Sequence, residues 1–169
     1  MKLDHMAPLL LPWVQDPWGM LRPPLSVEAL QMSVALAGAT YGMEIEPWME
    51  AAPVLLALGD PTGSFEADSC AYIGKDLFYW YPGFELTVNE VEGVDRITAV
   101  TVADDTVTIP QGLRIYDEEE KLLSLLGGTD ENGIYTYRDG NILLLIQVKA
   151  AEGDERRIAS MEYRVAVDQ

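Results

Sequence analysis

Two chemically versatile residues are almost missing from this chain: Cys70 is its one cysteine and His5 its one histidine. A lone cysteine builds neither an intrachain disulfide framework nor a cysteine-rich zinc site. A lone histidine, remote in sequence from that thiol, leaves imidazole-assisted nucleophilic catalysis without a good candidate. Basic residues are scarce as well. Eleven Lys and Arg stand against 28 Asp and Glu, a net charge of −17 and a pI near 4.1. That balance argues against gripping a phosphate backbone, which needs cations to displace counterions, and against an anionic membrane surface. No run of about 18 apolar residues occurs, so no membrane-spanning helix is expected. The P-loop, G-x-G-x-x-G after a strand, G-x-S-x-G and H-E-x-x-H are all absent. A non-enzyme without metal or cofactor is therefore expected. What is present is a chain of 169 residues, 49% of them hydrophobic, enough to bury one domain's core.

Residues 1–25 differ from the rest. Five of the ten prolines fall here (Pro8, Pro12, Pro17, Pro23 and Pro24), with Trp13 and Trp18. Such proline spacing argues against regular structure and for an extended arm. Leu9–Val14 is a short apolar run broken by Pro12 and preceded by Asp4, which reads poorly as an export signal. Trp13 and Trp18 are expected to pack against something. An arm that packs on its own body gives a monomer; one that reaches a neighbour gives a dimer. The first is favoured, because the next segment keeps the arm close. That segment, 26–38, reads as a helix: Ser26 is an N-cap, Val27, Leu30, Val34 and Ala37 form one stripe, and Gly38 is the stop.

From residue 39 a pattern occurs twice, over 39–103 and 104–169. The first unit has an alternating strand, Tyr41–Glu46, and a helix over about 49–58 with Pro53 in its first turn and Leu55, Leu56 and Leu58 inward. Three strands follow: Cys70–Ile73 running on to Tyr81, Phe84–Val88 and Ile97–Val102, with a turn at Pro82-Gly83. In the second unit Val107–Ile109 and Gly112–Ile115 lead in. Asp117 with Glu120 reads as a capping box, and Leu122, Leu123 and Leu126 form the apolar helix face. The strands are Ile134–Tyr137, Asn141–Val148 and Ile158–Val165, with a turn at Asp139-Gly140. Tyr79–Leu86 aligns with Tyr135–Ile142, and Asp95–Val100 with Arg156–Met161. The fold class predicted is α+β: two tandem helix–three-stranded meander units sharing one antiparallel sheet.

Residues 51–61 (AAPVLLALGDP), 65–74 (FEADSCAYIG), 79–86 (YWYPGFEL) and 104–112 (DDTVTIPQG) resemble a group of uncharacterised small lipoproteins of gut Firmicutes, over about 41–165. The repeated helix-plus-meander also resembles the β-lactamase-inhibitor-protein fold. The resemblance implies an extracytoplasmic location and binding through a concave sheet; it carries no catalytic residue with it. Where such proteins carry a lipidated cysteine and a polar tether, a Trp- and Pro-rich arm and a helix are expected here.

Among single residues, Cys70 reads as a buried structural thiol. The acidic pairs Asp104-Asp105, Asp130-Glu131 and Glu152/Asp154/Glu155 read as solvated turns. Aromatics carry the sharper signal. Alternation sends Phe78 and Trp80 to one side of a strand and Tyr79 and Tyr81 to the other, so one set is core and the other is available as interface anchors. Tyr72, Tyr79, Trp80, Tyr81, Tyr135 and Tyr137 are the binding candidates, and Trp13 and Trp18 the interface arm. The leading expectation is a non-enzymatic module binding a protein or ligand through an aromatic sheet face. The alternative is an intracellular acidic inhibitor that mimics nucleic acid and acts on a nucleic-acid-binding enzyme.

Overall fold

In Phe84–Val88 the large apolar residues recur every second position, so a strand there has one face to bury. The computed structural model describes residues 14–15, 21–22, 32–36 and 39–167, with side chains over 45–167. It builds that strand into a seven-stranded antiparallel sheet. Four strands follow α1 (Ala51–Leu58): β5 (Gly63–Asp68), β6 (Lys75–Tyr81), β7 (Phe84–Val91) and β8 (Val94–Val102). After α2 (Glu119–Leu126) come β9 (Ile134–Asp139), β10 (Ile142–Ala150) and β11 (Arg156–Val165). The spatial order is β5-β6-β7-β8-β11-β10-β9. Two meanders thus meet where β11 pairs with β8, Met161 opposite Val102 and Arg164 opposite Ala99. The architecture is α+β.

Tight turns set the register. Tyr81 pairs with Phe84 across Pro82-Gly83, and Gly83 takes φ +88°, the left-handed second corner that a type II turn demands after proline. Val91 pairs with Val94 across Glu92-Gly93. Asp139 pairs with Ile142, so the two turn residues are Gly140-Asn141, one position beyond the expected pair.

With the register set, pleating sorts the side chains. One row across the sheet reads Tyr79, Leu86, Val100, Tyr163, Leu144, Tyr137. Its neighbour reads Tyr81, Phe84, Val102, Met161, Ile146, Tyr135. Both rows belong to one hydrophobic core. Ala51, Val54 and Leu58 of α1 and Leu122 of α2 bury themselves in that core, so both helices lie on this side. The connection between β8 and α2 joins them. Val107, Ile109, Leu113 and Ile115 are all buried, and this lead-in forms turns rather than strand.

The two helices are entered and left alike. Trp48 N donates to Ile97 O (2.6 Å) and Ile97 N to Met49 O (2.8 Å). Tyr116 N donates to Ile158 O (2.8 Å) and Ile158 N to Asp117 O (2.9 Å). Trp48 and Tyr116 both hold positive φ, 80° and 73°. Arg96 Nη1 and Arg157 Nη1 each donate, at 3.0 Å, to those two residues' carbonyls. At the other end, Tyr81 OH donates to Gly59 O (3.1 Å) and Tyr137 OH to Gly127 O (2.7 Å), the glycines that end α1 and α2.

Several expectations are corrected. Residues 32–36, read as part of a helix over 26–38, form β3 (Met32–Leu36), paired with β4 (Ala39–Ile45). Met32, Val34 and Leu36 also fit a period of two, and the partner strand decides between the two readings. The rest of the expected helix lies outside the described residues. The arm carries a minimal ladder, β1 (Val14–Gln15) with β2 (Leu21–Arg22). None of those four residues is proline, so their N–H groups can pair. Trp13 and Trp18 lie outside the described residues.

Cys70–Ile73 is a loop, and a strand not read from sequence, β5, precedes it. The first meander therefore has four strands. Cys70 is exposed. In α1, Leu56 is 85% exposed while Val54 is buried, because the helix starts at Ala51 and its buried stripe is 51, 54, 58. In α2, Leu123 is exposed and only Leu122 is fully buried. Asp117 is not the cap. Glu118 holds that position without a side-chain capping bond, while Asp117 Oδ2 accepts from Arg114 N and Lys121 Nζ, both at 2.8 Å.

Candidate functional site

Among the described residues, no helix covers the face of the sheet opposite α1 and α2, called the open face below. Its two central rows follow from the same registers. One reads Gly63, Trp80, Glu85, Thr101, Glu162, Leu145, Thr136, and the other Phe65, Phe78, Thr87, Ala99, Arg164, Leu143, Arg138. Each strand contributes one residue to each row.

Trp80 is the fixed aromatic point. Thr62 donates to its carbonyl through both N (2.8 Å) and Oγ1 (3.0 Å), and the indole N–H donates to Glu85. Across the ladder lies Gly63, where an added Cβ would stand 2.7 Å from the indole ring. Only glycine lets the ring lie down on β5, a cross-strand aromatic covering a glycine. Trp80 still presents 41% of its surface to solvent. One row away, Phe65 and Phe78 stack at 6.2 Å.

Two depressions mark this face. One, of about 520 Å³, is lined by Tyr72, Phe78, Glu85, Asn89, Glu162 and Arg164, among others. The second, of about 500 Å³, runs past Ile134, Thr136, Leu145, Gln147 and Ser160. Glu162 and Arg164 border both. At the base of the first, buried Asn89 donates to Asp76 and to Lys75 O (3.0 Å) and accepts from buried Thr98. This network is satisfied, so it rigidifies the floor. Above it the 69–74 loop is closed by Ser69 Oγ, which accepts from Ala71 N (3.2 Å) and Tyr72 N (2.9 Å). Burial, with Asp76 close by, raises the Tyr72 phenol above its ordinary range.

The carboxylates of the face are not equivalent. Partial burial raises Glu162, with Arg164 opposing the shift and Glu85 reinforcing it. Its nearest cation is Arg164 Nη1, at 3.9 Å.

Of the six aromatic candidates, only Trp80 and Tyr72 border this face. Tyr79 packs against the core, and Tyr81, Tyr135 and Tyr137 are buried in it. Tyr135 donates to Glu119 Oε1 at 2.6 Å; burial and that bond push its hydroxyl up to about 12. Phe65, Glu85, Glu162 and Arg164 lie on the open face without having been singled out from sequence. The signal for Glu85 is its alternation with Phe84 and Leu86. Glu162 sits likewise between buried Met161 and Tyr163.

Of the acidic turn candidates, Glu131 borders the second depression. Asp104 accepts from Thr106 N at 2.9 Å. Asp130 accepts from Gly133 N (2.9 Å) and Arg156 Nη2 (3.2 Å), and those bonds hold its carboxyl below the usual range. Glu155 pairs with Arg157 at 2.7 Å. Among the described residues no three His, Cys, Asp or Glu stand together as metal ligands, and no helix is long and apolar enough to cross a membrane. Compared with models of protein families, with curated proteins and with solved structures, the chain matches none.

Proposed function

We propose that this protein is a non-enzymatic binding module that takes a protein or ligand on the sheet face opposite α1 and α2. The observation that carries the reading is Trp80. It is held by its backbone, by Glu85 and by its seat on Gly63, yet 41% of its surface stays exposed, next to the Glu85 that lines the first depression. An immobilised, half-exposed indole loses little conformational entropy on contact, which is why such residues anchor interfaces. The module is of the cell-envelope lipoprotein type by resemblance. It consists of two tandem units, about 39–103 and 104–169, a reading supported by the matched hydrogen bonds at the two helix entries and exits.

The test is affinity capture from envelope and cytosolic extracts of the source organism, using wild type, Trp80→Ala and Leu56→Ser. Leu56 is exposed on α1, on the other side of the sheet. A retained species lost with Trp80→Ala and kept with Leu56→Ser supports the reading. Retention indifferent to Trp80 overturns it, and retention of nucleic-acid-binding enzymes by all three proteins would favour the acidic-mimic reading instead.

A further inference from the structure

We infer that the open face seats a Lys or Arg side chain, presented by an extended segment of a partner protein, over Thr101 between Glu85 and Glu162. The inference rests on the reading of this face as the binding surface and names what it binds. Three observations meet there. Thr101 on β8 separates the two glutamates within one row. Their strands therefore stand roughly 10 Å apart, two strand spacings, which leaves room for one cationic head. Next, Trp80 and Phe78 form the apolar wall on the β6 side. A Lys or Arg that reaches the seat from the β6 side lays its aliphatic stem along that wall.

Charge is the third observation. Glu162 has Arg164 only at 3.9 Å, and Glu85 accepts its bond from the neutral indole. One cation thus faces two carboxylates. Around this trio, Asp76 and Glu131 add negative charge, and Arg138, which donates Nε to Gly140 O at 2.8 Å, adds one positive charge. The net charge of −17 also draws a cationic segment in from a distance. That long-range pull is general, whereas the seat over Thr101 is local, and a test must separate the two.

The probe is tetralysine amide, with its tetra-acetyllysine twin as a neutral control, titrated calorimetrically into the full chain. Glu85→Gln/Glu162→Gln removes the local charges. Glu152→Gln/Asp154→Asn removes the same formal charge at the β10–β11 hairpin. Melting curves confirm that each variant is folded. Expected is loss of tetralysine affinity by about tenfold in the first variant and under about twofold in the second, a few-fold loss in Trp80→Ala, and weak binding of the neutral twin. Thr101→Lys, which places a cation on the same spot, is expected to block the probe.

Equal losses in the two charge variants, or no binding at all, overturn the inference. If both peptides bind alike and Trp80→Ala abolishes both, the face binds but not through charge: the inference falls and the proposed function stands. If tetralysine binds and Trp80→Ala, Thr101→Lys and Glu85→Gln/Glu162→Gln all leave it unchanged, both fall.

Discussion

The two faces of the sheet come from the same strands, yet they are finished differently. Toward the helices, Tyr81, Tyr135 and Tyr137 are buried and each spends its hydroxyl inside the molecule, on Gly59, Glu119 and Gly127. Away from the helices, Trp80 and Phe65 remain substantially exposed, and Glu162 is left with a distant counter-ion. A buried hydroxyl must find a partner, and here the partners are helix ends, so these tyrosines tie each helix to its meander. An aromatic residue is thus a binding candidate only when its side of the pleat is known. Alternation between Tyr79, Trp80 and Tyr81 sets that side residue by residue.

Breaking the closed face gives the largest effects. Leu122→Ala and Leu58→Ala, both buried, are expected to lose about 2–5 kcal/mol each in chemical denaturation. Leu126 packs only partly against the core, so Leu126→Ala should lose less than Leu122→Ala; the reverse order would contradict the placement of α2. Next comes the Trp80 seat. Gly63→Ala pushes a methyl against the indole and is expected to cost about 1–2 kcal/mol, with a displaced Trp80 indole N–H resonance. An unchanged resonance would mean that the ring does not rest on β5. Tyr137→Phe, which removes the bond to Gly127, should cost about 1 kcal/mol, and Tyr81→Phe a similar amount. If neither changes stability, the tyrosines do not fasten the helices.

Smallest is Glu162→Gln. Folding raises this carboxyl's proton affinity, so the charged form is disfavoured in the native state. The penalty is fully present above the raised folded value and fades as pH falls through it. Glu162→Gln should therefore melt slightly higher than wild type at pH 7, with the gap closing in acid. A variant that melts lower at pH 7 would show that the Arg164 pairing outweighs burial.

Much of this fold is legible in the sequence because alternation and turn residues agree. Phe84–Val88 has one apolar side, and Pro82-Gly83 can hardly be anything but a turn. The rest fails for identifiable reasons. Gly63–Asp68 is an edge strand with one neighbour and few apolar residues, so nothing in its pattern announces it. Residues 70–73 look extended, yet Ser69 folds them into a turn through side-chain bonds. Met32–Leu36 fits both periods, and only pairing with β4 chooses. In the site, Trp80 is legible as a candidate. Glu85 and Glu162 are not legible as a pair, because they come to flank Thr101 only when β11 joins β8, a contact between residues far apart in the chain.

The most direct test of the account is amide and indole NMR shift mapping during a tetralysine amide titration of the full chain. The account predicts that the largest changes fall on the Trp80 indole and on Glu85, Thr101 and Glu162, with α1, α2 and the 150–156 hairpin nearly silent. Changes centred on the helices, or spread evenly over the acidic turns, would contradict it.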